Sequence, residues 1–385
     1  MQFDLSDEQQ ALQDAIERLL RNSYGFERRR TIVASQCGHD EQVWRQIADM
    51  GVCGLVVAPE YGGYGGGASD LYPVMRAVGA ALALEPVLVH AVMAPTALRA
   101  GADERARRHW LPGVASGELR VAWAHDEAGA SAAVDGRPHV RAQCRDGRWL
   151  VDGHKPLVLH GTSASHWIVS AICEGGAPTE SSTGLFMIER GAPGVSVQAG
   201  RLIDDTPIAV LRFERTPAAP LNADDPGAGA VRAIEAVRRM GISAVCAEAV
   251  GTMETAHGLA VQYLGTRKQF GRLIGEYQVL RHRAADMLVS LELCRSMAMA
   301  AASAVDHPDG QDSELDLLRA KTSIGLHGRR LCEAAIQLHG GIGMTEEYAV
   351  GHCLRRMVAI DQLFEPSQAH RRALGHALAH PYSGL

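Results

Sequence analysis

The segment Leu363 to Arg372 reads LFEPSQAHRR and places Glu365 between Phe364 and Pro366. A carboxylate in an apolar setting has a raised proton affinity, so it can act as a general base toward a weakly acidic C–H bond. Ser367 follows as the expected cap of a helix that begins there. The stretch Leu331 to Tyr348 carries a second chemical signal. An apolar helical stripe of Leu331, Ala335 and Leu338 runs into Gly340, Gly341 and Gly343. Glycines turn sharply and leave their amides open to an anion, so a cofactor phosphate fits such a turn. Thr345, with Glu346 and Glu347 behind it, reads as the cap and acidic first turn of the next helix.

These residues need a large frame to hold them, and the composition supplies one. A chain of 385 residues with 46% hydrophobic content has room for two to three domains with buried cores. Charged residues make up 21%, the formal net charge is −6, and no long basic run occurs, which argues against nucleic acid or an anionic membrane as the principal partner. The eight cysteines (37, 53, 144, 173, 246, 294, 332 and 353) are scattered. With no CxxC pair and no Cys/His cluster at zinc spacing, neither a disulfide framework nor a metal site is expected, and the pattern fits a reducing cytoplasm. Residues 1–20 have the pattern of a charged amphipathic helix rather than a signal peptide, and no apolar run reads as long enough to span a bilayer.

The period of the apolar residues divides the chain into three parts, giving a mostly α fold with a central β domain. Residues 1–118 read as helical, with Ser6 as a cap ahead of Leu12, Ile16, Leu19 and Leu20, and further helices near 40–50, 68–82, 87–99 and 103–115. Residues 119–226 carry short strand-like runs separated by Gly, Pro and Asp, among them the Asp146-Gly147 hairpin signal, and predict a small antiparallel, barrel-like domain. Residues 227–385 return to long helices joined by short links, the pattern of a four-helix bundle.

The run Gln337 to Tyr348 and the segment Leu363 to Arg372 resemble the closing elements of the acyl-CoA dehydrogenase family, flavoenzymes that introduce a double bond between Cα and Cβ of a CoA thioester. The order of helical domain, β domain and four-helix bundle is also that of the family, so the resemblance covers essentially the whole chain. The loop PEYGGYGGG, Pro59 to Gly67, resembles a P-E-x-G-G-x-G loop of the family's N-terminal domain. The turn GTRKQFGR, Gly265 to Arg272, resembles its R-x-x-F-G signature.

The resemblance implies FAD as cofactor and an acyl-CoA as substrate. It places Arg267 and Phe270 against the FAD of a neighbouring subunit, the guanidinium at the pyrophosphate and the ring over the adenosine half, a role that suits a planar cation and an apolar face. Gln278 matches a glutamine near the same ADP portion, and Gln337, Gly340 and Gly341 match the pyrophosphate-binding turn. Glu365 aligns with the catalytic base and Ser367 with a flavin-contacting Thr. In the family the α-proton leaves as hydride passes from Cβ to the flavin, and the electrons go on to an electron-transfer flavoprotein.

The β domain departs from the pattern. Trp123-Ala-His-Asp-Glu127 puts Asp126 at a flavin-contacting Thr position, and Leu157 and Leu159 replace the family's Trp and Thr beside the flavin ring. The other base position known in the family falls near Gly241. Intact ADP-side motifs with altered ring-side motifs resemble the smaller subunits of heteromeric members, such as pimeloyl-CoA dehydrogenase and those acting on steroid side-chain thioesters. The resemblance therefore implies a homotetramer, or a heterotetramer with a related chain. Two functions follow from it: an acyl-CoA dehydrogenase catalytic through Glu365, or a non-catalytic partner subunit that completes the FAD site of another chain. His160, His339 and His370 read as structural among the 17 histidines.

Overall fold

The structure, a computed structural model, describes residues 6–35, 37–127, 139–174, 183–310 and 312–379. The N-terminal helices are α1 (Asp7–Ser23), α2 (Phe26–Ala34), α3 (Glu41–Asp49), α4 (Ala68–Ala81), α5 (Ala94–Gly101) and α6 (Glu104–Ala115), with a π-helical turn, Val87–Met93, ahead of α5. Ser6 starts α1 as its sequence suggests: its hydroxyl accepts from the Gln9 amide at 3.2 Å, and the Gln9 side chain accepts from the Ser6 amide at 3.0 Å. Asp40 and Asp103 cap α3 and α6 with carboxylates that accept first-turn amides, without the return bond from the third residue. The middle strands are β1 (Val121–Ala124), β2 (Arg141–Arg145), β3 (Arg148–Leu159), β4 (His166–Glu174), β5 (Thr183–Glu189), β6 (Val195–Arg201) and β7 (Pro207–Pro220). After them come α7 (Ala230–Thr266), the short strands β8 (Lys268–Gln269) and β9 (Arg272–Leu273), and α8 (Gln278–Asp306), α9 (Ser313–His339), α10 (Ala349–Gln362) and α11 (Ser367–Ala379).

Backbone proximity divides the chain into two compact units. One comprises Met1–Thr31, Gly67–Ala83 and Ile242–Leu385, and the other Ile32–Gly66 and Leu84–Gly241.

The second unit is built on the β sheet. Its strand order is β1-β4-β2-β3-β7-β5, with β5 pairing back onto β4, so the sheet closes as expected of a barrel-like domain, while β6 pairs with β7. The expectation of a purely antiparallel domain needs correction. β1 and β2 both run parallel to β4, at Val121↔His166 and Arg141↔Ile172. Neither is joined to β4 by a hairpin, and only a hairpin obliges neighbours to be antiparallel. The β2–β3 hairpin does carry the predicted turn: Asp146 and Gly147 have φ of 49° and 73°, the left-handed pair that matches strand twist. Register shifts between Val151 and Gly153 and between Lys155 and Val158 mark irregularities that bend β3 against β7. Trp167, Phe186 and Phe213 fill the interior. In the glycine loop, Gly63 is obligatory because a Cβ there would lie 2.1 Å from the Val57 carbonyl oxygen.

The first unit is helical, and α4 and α7 touch backbone to backbone within it. A Cβ on Gly79 would stand 1.8 Å from the Glu248 carbonyl oxygen, and one on Gly251 would stand 1.9 Å from that of Arg76. Thr252 donates to the Gly79 carbonyl at 3.2 Å and Thr255 to that of Ala80 at 2.7 Å, so the crossing is bonded as well as packed. Beside it, Glu254 accepts from both Arg76 and Arg295 at 2.9 Å.

The α8 helix corrects the expectation that no segment could span a bilayer, being long and apolar enough by length and composition. Here it packs against α4 and α9, with Arg295 paired to Glu254 and Glu292. The apolar length is that of a bundle helix with partners on more than one side.

The Gly251 contact yields a stability prediction. Gly251→Ala should lower the unfolding free energy by about 1–3 kcal/mol, the cost of forcing overlap in a filled interior. An unchanged urea midpoint would show that α4 and α7 do not meet this closely.

Candidate active site

Phe270 sits at the tip of the β8–β9 hairpin. Its φ is 52° and that of Gly271 is 82°, the two-residue turn that reverses a short hairpin. A left-handed conformation is costly for an aromatic residue, and the ring it presents is 93% exposed. An apolar ring held in water by a strained turn is arranged to meet another molecule. Arg267 begins the same hairpin, is exposed, and has no ion-pair partner among the described residues, while its amide donates to the Tyr263 carbonyl at 2.9 Å. Gln278 is exposed as the first residue of α8. A pocket of about 390 Å³ borders the hairpin between the end of α7 and the start of α8, lined by Val261, Leu264, Leu273, Arg281 and Ala284. Arg267, Phe270 and Gln278 do not line it.

At the end of α9 the glycine turn forms as expected. Gly340 adopts φ 67°, and no atom lies within 4 Å of a Cβ built on Gly340 or Gly341. Both are exposed, as is Gln337 one helical turn earlier. The backbone is therefore open to an anion from outside. The expected cap at Thr345 is absent. The chain continues as a 3₁₀ turn, Gly340–Met344, and the Thr345 hydroxyl donates back to the Ile342 carbonyl at 2.9 Å. The α10 helix starts only at Ala349, after Tyr348, and Glu346 pairs instead with Arg355 at 2.9 Å.

Glu365 lies between α10 and α11 in an unusual turn, with Phe364 at φ 53° and Glu365 at φ 71°. The apolar burial predicted for the carboxylate is not found. Glu365 and Pro366 are exposed and Phe364 is half-buried, because the left-handed turn leaves only part of Phe364 against the protein. Glu365 makes no hydrogen bond or ion pair among the described residues, which leaves it available to a substrate. Ser367 is the first residue of α11 rather than its cap. Its amide donates to Asp361 Oδ1 at 3.3 Å, and its Oγ packs onto Gly325 of α9.

Two side chains stand behind this turn: Lys321, which the sequence reading passes over, and His370, which it reads as structural. Lys321 of α9 has no exposed surface, and its Nζ donates to the Ile360 and Asp361 carbonyls at 3.0 and 2.9 Å. Burial lowers its pKa, with Cys246, Asp361 and Glu365 opposing that shift. His370 is 1% exposed and donates from Nε2 to the Phe364 carbonyl at 2.7 Å. The signal for Lys321 was present in the sequence: a lone cation at helical spacing in the stripe Leu317, Ile324, Leu331.

The remaining assigned position belongs to the β unit. Asp126 follows β1 with an exposed outer surface, yet crowding by protein on its other side raises its pKa, Lys155 opposing. Lys155 is fully buried and donates from Nζ to Glu127 Oε1 at 2.6 Å, to the His125 carbonyl at 2.9 Å and to Ser170 Oγ at 3.1 Å. Burial pushes the Lys155 ammonium down to about 8 against the opposing pull of Glu127. Burial also pushes His125 down to about 4, with Lys155 acting in the same direction. Burial alone would raise Glu127, but Lys155 and the amides of His139 and Val140 outweigh it and hold the carboxyl low. Leu159 is buried and Leu157 half-buried, and neither side chain offers a hydrogen bond.

Residues 6–118 match the family described as acyl-CoA dehydrogenase, N-terminal domain, and residues 228–378 match acyl-CoA dehydrogenase, C-terminal domain. The chain is similar to acyl-CoA dehydrogenase FadE12 of Mycobacterium tuberculosis, at 31% identity over 358 residues that cover 90% of each chain. In structure it is similar to the Tcur3481-Tcur3483 steroid ACAD, with a TM-score of 0.84 at 25% identity, covering 98% of this chain and 99% of that one. Its fold is also that of the ChsE4-ChsE5 complex from Mycobacterium tuberculosis, with a TM-score of 0.85 at 21% identity, covering 98% and 99%. The chain belongs to the acyl-CoA dehydrogenase family, FAD-using oxidoreductases that act on CH–CH donors.

The Lys155–Glu127 pair gives a test of the β unit. Glu127→Gln removes the counter-charge of a buried ammonium and should cost about 1–3 kcal/mol at pH 7, since a lysine whose pKa is already about 8 can give up its proton instead of staying as a lone buried charge. The folded pKa of Lys155, about 8, lies below the ordinary 10.5, so the unfolded chain binds more protons between those values. Stability contributed by this group therefore rises with pH across that window. Loss of Glu127 depresses the folded pKa further, so the difference between wild type and variant should shrink toward pH 10. Equal urea midpoints for the two proteins at pH 7 would contradict the pairing.

Proposed function

We propose that this chain desaturates an acyl-CoA thioester between Cα and Cβ, with Glu365 as the base, within a cytoplasmic tetramer of copies of itself or of itself and a related chain. The observation that carries the reading is the mounting of Glu365: a carboxylate that makes no hydrogen bond among the described residues, carried by two consecutive left-handed residues at the start of a helix. Strained backbone of this kind collects where a side chain must be aimed.

FAD suits the ADP-side residues. The turn at Gly340 and Gly341 has space on its open side that a Cβ would enter without contact, and Arg267, Gln278 and Gln337 are exposed polar groups. Arg267 and Phe270, on one hairpin, would meet the pyrophosphate and adenosine half of a neighbouring subunit's FAD, with Gln278, Gln337, Gly340 and Gly341 at the same ADP portion. Ser367 and Asp126 are the positions the resemblance assigns to the flavin ring. When bound, FAD supplies the acceptor for the hydride leaving Cβ, and an electron-transfer flavoprotein takes the electrons onward. Glu365 takes the α-proton. Its exposure in the single chain leaves water exclusion to the bound acyl chain, since the base needs a dry setting only while the proton moves. Phe364 and Pro366 stand beside the carboxylate to help exclude water.

A second reading is favoured by Leu157 and Leu159: the chain lends Arg267 and Phe270 to the FAD of a catalytic partner and turns over nothing itself. Heteromeric assembly is in keeping with the paired names of its structural relatives.

Glu365→Gln separates the two readings because it keeps shape and removes the proton acceptor. In anaerobic single-turnover mixing of the assembled oligomer with a saturated acyl-CoA, flavin bleaching should slow by about 10²–10⁴-fold while substrate still binds. Bleaching at the wild-type rate would remove Glu365 from catalysis and leave the cofactor-lending reading in its place.

A further inference from the structure

We infer that His370 and Lys321 are positioning residues for Glu365, clamping the backbone of the turn on which the carboxylate stands. The inference rests on the reading of Glu365 as the base and adds how the chain keeps that base in place.

Each left-handed residue with a side chain costs about 1–2 kcal/mol relative to ordinary backbone, so two in a row do not persist unaided. Phe364 and Glu365 are such a pair, and their neighbours are tied on both sides. Before them, the Lys321 ammonium takes the carbonyls of Ile360, which also accepts the Leu363 amide at 3.2 Å, and of Asp361 at the end of α10, where helix carbonyls carry partial negative charge. After them, His370 reaches back from α11 and donates to the carbonyl of Phe364 itself. A carbonyl oxygen only accepts, so Nε2 carries the proton in both the neutral and charged ring. Asp361 Oδ1 accepts the Ser367 amide across the same turn. Gly325 lets α9 meet this knot, since a Cβ there would lie 2.3 Å from both Asp361 Oδ1 and Ser367 Cβ.

His370 and Lys321 are both buried, so water cannot readily take over their bonds. Without the His370 bond, the Phe364 peptide is released to rotate toward an ordinary φ. The next residue to move is Glu365. A displacement of about 1 Å at a reacting group can cost on the order of a hundredfold in rate.

The test uses the assembled, FAD-loaded oligomer and reads the bleaching rate per bound flavin, together with acyl-CoA affinity. His370→Leu removes the donor and should slow bleaching by about 10–100-fold with affinity for acyl-CoA unchanged. His370→Gln carries an amide N–H near the position of Nε2 and should recover to within about threefold of wild type, whereas the shorter His370→Asn should not. If His370→Leu does not assemble, the Gln and Asn variants carry the comparison. Rates that ignore the donor, with His370→Leu or His370→Asn equal to wild type or His370→Gln as slow as they are, overturn the inference. Glu365→Gln in the same series separates the two claims. Slow bleaching there with a fast His370→Leu sinks only the clamp, and fast bleaching in Glu365→Gln removes the reading on which the clamp rests.

Discussion

An ammonium with no exposed surface holds the end of the α10 helix in this chain. Lys321 gives two hydrogen bonds to the carbonyls of Ile360 and Asp361, and the turn that follows starts from that fixed end. The position of Lys321 depends in turn on α9, which packs along α8, α10 and α11. Glu365 therefore stands on a part of the bundle rather than on a free loop, which is where a proton acceptor needs to be for its geometry to repeat from one turnover to the next.

Charges inside the protein follow the same rule elsewhere. Glu254 lies between Arg76 and Arg295, Glu248 accepts from Arg356 at 2.7 Å, and Lys155 meets Glu127, so these partly or wholly buried ions each have a counter-ion and a defined geometry. Pairs of this kind add little net stability over apolar packing, but breaking one leaves an unmatched charge and is costly. By contrast, Arg267, Phe270, Gln278, Gln337 and Glu365 stand at the surface. Among the described residues, Arg267, Gln278, Gln337 and Glu365 make no side-chain hydrogen bond or ion pair, so these of the groups proposed for FAD and substrate stand open, whereas Ser367 is tied to Asp361 through its amide.

Local signals in the sequence carried much of the architecture. The Ser6-Gln9 capping box, the Asp146-Gly147 hairpin and the long apolar stripes of α7, α8 and α9 each depend on neighbours a few residues away, so spacing alone reveals them. What escaped depends on distant contacts. The parallel pairing of β1 and β2 with β4 is set by how the sheet closes. Thr345 has the residue type of a cap but turns its hydroxyl back to Ile342. Glu365 reads as a carboxylate with apolar neighbours, yet the left-handed backbone at 364 and 365 leaves it exposed. No propensity marks that backbone, because its support comes from Lys321 on another helix and from His370 on the helix that follows. The candidate residues were legible through the family resemblance, whereas the contacts of Lys321 and His370 with the turn at Glu365 were not.

Proton removal can be measured apart from electron transfer, and that measurement bears most directly on the central claim. The assembled oligomer would be incubated in D2O with an acyl-CoA analogue that has α-hydrogens but no hydride to give at Cβ, and deuterium entry at Cα followed by mass spectrometry. The account predicts exchange in the wild type, at a rate that falls to background in Glu365→Gln although the analogue still binds. Exchange that continues unchanged in Glu365→Gln would place the base on another residue or another chain and contradict the account.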